Sequence, residues 1–169
     1  MEITDNVAIM LQSIYAHASW ANRKLFDTAA QISEAQLTHA ADDSESIFAL
    51  LAHLVDVQRT WLARAQYTVA PSLDPASCAT LAALREAWKS VDDASHMYVA
   101  DLNAGDLVEI VRYTNTKGEP QAYPRWQILL HQALHAAQHR SEAALLLSRL
   151  GSSTGWLDYL IYIDEIRGG

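Results

Sequence analysis

The stretch PRWQILLHQALHAAQHRSEAALLLSRLG, Pro124 to Gly151, decides the fold. Proline stands where a helix begins, because the N–H it lacks is one that a first turn leaves unpaired anyway. Glycine stands where the helix stops. Between them nothing breaks a helix. His131, His135 and His139 share one side with Ile128 and Leu146, while Trp126, Leu130, Ala133, Ala137 and Ala144 fall roughly opposite His135. A helix that is apolar nearly all round is expected to be buried on both sides. The small residues at its back would let another helix approach closely. Either a second copy of the chain covers that side through a two-fold interface, or the first and third long helices of the same chain do.

Outward from this segment, the sequence supplies three more long helices. Over residues 4–31, Val7, Leu11, Ile14, Ala18, Ala21, Leu25 and Ala29 recur at steps of three and four, with Thr4 as a weak cap. A second helix over residues 45–68 turns Ile47, Leu51, Leu54, Val55, Leu62 and Ala65 to one side. Asp42-Asp43-Ser44 is its expected cap region, and Pro71 and Pro75 bound the loop after it. A third covers residues 77–102, with Leu81, Leu84, Trp88, Val91 and Val99 on one side and Asn103-Ala104-Gly105 as the stop. Residues 107–123 change period, are rich in β-branched residues and contain the turn signal Thr116-Lys117-Gly118-Glu119, which reads as a β-hairpin. The apolar tail Trp156 to Ile163 is expected to cap the bundle. The predicted fold is all-α: one domain over residues 1–169, a four-helix bundle with a small β-hairpin before the last long helix.

Composition narrows the function. Of 169 residues, 50% are apolar and 19% charged, which suits a packed core and argues against wholesale disorder. Twelve basic against twenty acidic residues leave a net charge of −8, so the basic footprint of a nucleic-acid binder is missing, and an anionic membrane surface is disfavoured too. The single cysteine, Cys78, cannot form an internal disulfide or build a sulfur-rich metal site, and it fits a reducing compartment. The start, Met1-Glu2-Ile3-Thr4-Asp5, has no basic region followed by an apolar run, and no apolar run approaches the roughly 20 residues of a membrane span. The expectation is a cytoplasmic protein. No Ser-His-Asp order and no glycine-rich phosphate loop stands out.

The chemistry lies in the histidines. Successive residues at i and i+4 are displaced by about 40° around a helix, so His131, His135 and His139 fall within roughly 80° of one another. Glu142 lies on the same stripe. A pair of imidazoles one turn apart can share one metal ion, and zinc, nickel, copper and iron all accept imidazole nitrogen. Such a pair binds weakly until another element adds a third ligand. His53, flanking the apolar side of the second helix beside Leu50, Val57 and Trp61, is the best candidate, although spacing alone does not settle it. Three protein ligands would leave a position open for water or substrate, as in catalytic zinc sites. The competing reading is a set of core histidines that only exchange hydrogen bonds.

At this point a family pattern is visible. Leu129-Leu130-His131 through His135 to His139-Arg140 resembles the last-helix motif of the DinB-like superfamily: an apolar pair, then His, three residues, His, three residues, His-Arg. Leu50-Leu51-Ala52-His53-Leu54-Val55 is similar to its second-helix motif, and Tyr15 through Trp20-Ala21-Asn22-Arg23 to its first. Leu147-Ser148-Arg149-Leu150-Gly151 and Trp156-Leu157-Asp158-Tyr159-Leu160 resemble the family's helix end and C-terminal segment. The resemblance implies a four-helix bundle, often a homodimer, with a divalent metal, zinc or nickel, held by His53, His135 and His139. It gives His131 a packing or supporting role. Where the family often has Gly and Gln after His-Arg, this chain has Ser141 and Glu142. Glu142 is thereby a candidate catalytic base or an acceptor behind the ligands, against an ordinary salt-bridged residue.

Characterised relatives of that kind use low-molecular-weight thiols such as bacillithiol, mycothiol or glutathione. The leading expectation is therefore a metal-dependent thiol transferase acting on a small molecule. A hydrolase using water at the same position, or a bundle that binds a metal or ligand without catalysis, are the alternatives. Elsewhere His17 is expected to face the core, His39 and His96 the solvent, and Arg140 an exposed salt bridge. Trp20, Trp61 and Trp126 are expected as core or interface anchors, and Cys78 as a small packing residue opening the third helix.

Overall fold

A computed structural model describes residues 2–40, 45–70 and 73–168. The elements run α1 (Glu2–Ala29), α2 (Glu34–Thr38), α3 (Ile47–Ala65), α4 (Leu81–Asp101), α5 (Ala104–Val108), β1 (Ile110–Thr114), β2 (Pro120–Pro124), α6 (Arg125–Arg149) and α7 (Tyr159–Gly168). The four long helices α1, α3, α4 and α6 form the bundle, with α6 between α1 and α3, and α4 closing the ring against both. The chain is thus an all-α four-helix bundle with a two-stranded antiparallel hairpin before the last long helix.

The core explains the direction of each helix. One apolar cluster joins Leu25, Phe26 and Ala29 of α1 to Ile47, Leu51 and Leu54 of α3, Leu84 and Trp88 of α4, and Ala143 and Leu147 of α6. A second joins Leu11 and Tyr15 of α1 to Ala65 of α3, Val99 of α4, and Ile128, Leu129 and Ala133 of α6. The end of α1 therefore meets the starts of α3 and α4 and the end of α6. So α1 runs parallel to α6, and α3 parallel to α4, each pair antiparallel to the other. Parallel neighbours need a long return, and residues 66–80 supply it. The Leu73 amide donates to Asp56 Oδ1 at 3.2 Å, which ties this crossover to the side of α3.

Between the two clusters the bundle has a polar waist. Ser19 Oγ donates to Asp92 Oδ2 at 2.6 Å, and Gln58 Nε2 donates to Asp92 Oδ1 and to Ser95 Oγ, both at 3.2 Å. Arg140 reaches Asn22 Oδ1 at 3.4 Å in the same layer. All six side chains are buried. Arg140 is thus no exposed salt-bridge residue: burial pushes its guanidinium down to about 10, opposed by the charge of Asp92.

Several boundaries differ from the sequence reading for local reasons. The polar stretch after α1 contains a short helix, α2, closed by a capping box in which Ser33 and Gln36 satisfy each other's amides. The cap of α3 is Ser46, whose hydroxyl accepts from the Ala49 amide at 3.1 Å. The expected cap Asp42-Asp43-Ser44, like Pro71, lies outside the described residues. Helix α4 starts at Leu81, not at residue 77, because Asp74 takes the amides of Ala76 and Ser77 into a turn and Thr80 caps the helix. Cys78 sits buried in that turn, packed against the core. Leu107 belongs to α5, which Asn103 and Asp106 cap reciprocally, so the hairpin begins at Ile110. Asn115 closes the hairpin turn by accepting the amides of Lys117 and Glu119, and Gly118 takes the positive φ of 80° that the turn requires.

The tail does not cap the bundle. Helix α7 lies along the outside of α1 with none of its residues buried. Ser13 and Tyr159 share a hydrogen bond at 2.6 Å, and Glu165 accepts from Trp20 Nε1 and Lys24 Nζ, both at 2.7 Å. Nor is α6 covered all round, since Leu134 is 63% and Leu145 53% exposed on its outer side. Among the described residues no helix is long and apolar enough to cross a membrane.

Candidate metal centre

Helices α3 and α6 pack antiparallel and bring three imidazoles together. His53 stands two turns into α3, next to the buried pair Leu50 and Leu54. His135 and His139 face it from consecutive turns of α6. One potential ligand atom from each lies within 4.8 Å of the other two, and all three side chains are half-buried. The ring centroids are 4.5 Å apart for His53 and His139, 4.7 Å for His135 and His139, and 5.8 Å for His53 and His135. Among the described residues this is the one such cluster of His, Cys, Asp or Glu.

The donor set suits a metal ion. Three imidazole nitrogens with no thiolate match the imidazole-rich sites of zinc and nickel. Burial holds His135 below its ordinary 6.5, and the neighbouring His139, His53 and His131 push the same way. The neutral imidazole is the form that ligates. The Nδ1–H of His139 donates to Glu142 Oε2 at 2.8 Å, so the lone pair of that ring sits on Nε2. That bond also holds the Glu142 carboxyl below the usual range. Its other oxygen accepts from Gln138 Nε2 at 3.3 Å.

His131 stays out of the cluster. Its ring stacks on His135 at 5.8 Å and meets Trp61 edge-on at 4.7 Å. Two recesses lie along this stretch of α6, and His131 lines the first. Toward the hairpin lies a cavity of about 320 Å³ lined by Trp61, Tyr113, Tyr123, Gln127, Ile128 and His131. Beyond His139 lies another of about 350 Å³ lined by Glu45, Leu50, His53, His139, Glu142, Leu145 and Leu146.

Arg125 fixes the hairpin over this site. Its guanidinium is buried and donates to Ala65 O at 3.1 Å, Asp106 O at 2.6 Å and Glu109 Oε2 at 2.7 Å. One side chain thus ties the end of α3, α5 and the start of β1 to the first turn of α6. The sequence gives no signal for this, because a charged residue at the head of a helix normally faces water.

The remaining histidines stand apart. His17 faces outward, not into the core: its Nε2 bonds Leu157 O at 2.8 Å, and Trp20, Tyr159 and Tyr162 surround the ring. His39 is exposed, and His96 is half-exposed, 3.7 Å from Asp92. Trp61 is a cavity wall as much as a core residue, and the sequence reading missed Tyr113 and Tyr123 beside it. Their spacing, one on each strand of a predicted hairpin, was the available signal.

A two-layered helix ring with three inward imidazoles defines a class, and comparison gives the class a name. The DinB family model matches residues 5–168, and the chain belongs to the DinB family. No curated protein sequence matches it. A DinB family member from Shewanella denitrificans is similar in structure, at 19% identity and a TM-score of 0.62, over 94% of this chain and 92% of that one. YfiT from Bacillus subtilis, described as a probable metal-dependent hydrolase with an unusual four-helix bundle topology, is similar at 15% identity and a TM-score of 0.63, over 90% of each chain.

Proposed function

We propose that the protein is a metal-dependent enzyme of the thiol-transferase type, in which His53, His135 and His139 hold a divalent ion, zinc or nickel. The observation that carries this reading is three imidazole donors within 4.8 Å of one another, with a recess on either side. A divalent ion supplies Lewis acidity there, lowering the pKa of a thiol at its open position. Two recesses suit two substrates. Glu142 keeps His139 in the ligating tautomer and offers a carboxylate near the second recess for a proton. His131 packs behind His135 and steadies it. In this reading the chain is cytoplasmic and works as a homodimer.

Elemental analysis tests the site. About one zinc or nickel ion per purified chain, absent from the His135→Ala, His139→Ala double variant, is the expected result. A folded wild type that takes up no ion on reconstitution overturns it. Turnover is then assayed with small electrophiles, with and without a thiol. The likeness to YfiT favours a second reading, hydrolysis with water as nucleophile. Turnover that needs no thiol selects that reading.

A further inference from the structure

We infer that the cavity under the hairpin is a binding site for an uncharged, planar aromatic group, the electrophilic partner of the proposed reaction. This rests on the reading that the three-histidine cluster is the reaction centre. The walls are rings: Trp61 from α3, Tyr113 from β1, Tyr123 from β2 and His131 from α6. They are arranged before any ligand arrives. Tyr113 meets Trp61 edge-on at 5.5 Å, Trp61 meets His131 at 4.7 Å, and Tyr123 stands 6.5 Å from Tyr113. Arg64 locks two of them, its guanidinium lying 4.5 Å from the centroids of both Trp61 and Tyr113.

Size, charge and position choose the occupant. An apolar cavity of about 150 Å³ holds benzene, so about 320 Å³ takes a substituted ring with room to spare. Aromatic boxes also attract quaternary ammonium groups. Here Arg64 already supplies the cation to Trp61 and Tyr113, and a second cation would be repelled. A flat neutral ring keeps the offset and edge-on contacts available at the remaining faces. Its substituent would point along His131, whose ring stacks on His135, toward the cluster. The second recess, on the side of Glu142, stays free for the nucleophile.

The test uses the full chain and three probes: 4-nitrobenzyl alcohol, cyclohexylmethanol of similar bulk, and tetramethylammonium. Heteronuclear NMR follows the Trp61 indole N–H, the Ile128 methyl groups and the amides of both strands. The expected result is saturable shifts confined to these groups with the nitrobenzyl probe. Cyclohexylmethanol should bind at least fivefold more weakly, and tetramethylammonium should leave the spectrum unchanged. Tyr123→Ala, at an exposed hairpin position, should weaken the aromatic probe about five- to tenfold while the rest of the spectrum stays native. Equal binding of the saturated probe, shifts with the cation, or shifts centred on His53 and Glu142 each overturn the inference. Because the titration reads binding without added metal, it fails or succeeds independently of the ion-uptake experiment.

Discussion

Glu142 Oε2 accepts the Nδ1–H of His139 at 2.8 Å from one turn further along the same helix. The bond spans i to i+3 on α6, so it needs no other element to form. With Nδ1 engaged by the carboxylate, Nε2 is the nitrogen of His139 left to ligate. Partners that fix a ligand's tautomer commonly contribute 10- to 100-fold to metal affinity. Glu142→Ala should therefore weaken zinc binding by about that factor with little loss of fold stability, since the carboxylate is exposed. Competition titration against a chromophoric chelator measures it. Unchanged affinity would make Glu142 an ordinary surface residue.

Acid should loosen the metal-free protein before its carboxylates titrate. Burial holds both His17 and His135 below their ordinary 6.5 in the folded chain. On acidification the unfolded chain takes up these protons first. The stability that the neutral rings contribute is complete above about pH 6.5 and is lost as pH falls through their folded values. Glu109, Glu142 and Glu165 are all held below their ordinary 4.5, so a further loss follows under that pH. Urea midpoints between pH 7.5 and 5 should fall, and His17→Gln should flatten part of the slope.

Arg125 ties the hairpin to the end of α3 and to α5. Arg125→Met keeps the aliphatic bulk and removes three charge-assisted hydrogen bonds, two of them to main-chain carbonyls. A cost of about 2–3 kcal/mol is expected, since hydrogen bonds to charged groups contribute about 1.5–3 kcal/mol each and water recovers some of them. Chemical denaturation measures the loss. Amide exchange should quicken first in residues 104–124.

The outer side of α6 bears on assembly. Leu134 and Leu145 lie exposed there, and Met10 of α1 is 59% exposed. If the proposed homodimer forms through this side, sedimentation equilibrium gives twice the chain mass. Leu134→Glu with Leu145→Glu should then return the monomer. A wild type that sediments as a monomer at micromolar concentration removes the homodimer from the proposal.

The periodic parts of this molecule were legible before any coordinates. All four long helices and the hairpin follow from step-of-three-and-four apolar spacing and from a change of period. The i, i+4 histidines followed from helix geometry alone. Two boundaries escaped although their causes are local: Asp74 draws Ala76 and Ser77 into a turn that delays α4, and Asn103 with Asp106 caps a new helix, α5. The rest of what escaped was set by contacts between elements. Arg140 reads as a surface residue, and Arg125 gives no signal at all, because their partners, Asn22 and Asp92 for one and Ala65 and Asp106 for the other, are distant in sequence. Trp156 to Ile163 reads as a buried cap because an apolar segment says nothing of which helix it will lie against.

The polar waist has a consequence for how the helices find their places. Leucine-lined helices can slide past one another by a turn at little cost, because one apolar side chain replaces another. Here a one-turn slide of α4 would carry Asp92 from Ser19 and Gln58 into leucines and leave a carboxylate without a donor. A buried polar group stripped of its partner costs about 1–3 kcal/mol, and a charged one more. The waist therefore acts as a registration mark. It indexes α1, α3, α4 and α6 to a single height, and so fixes the level at which His53 of one helix meets His135 and His139 of another.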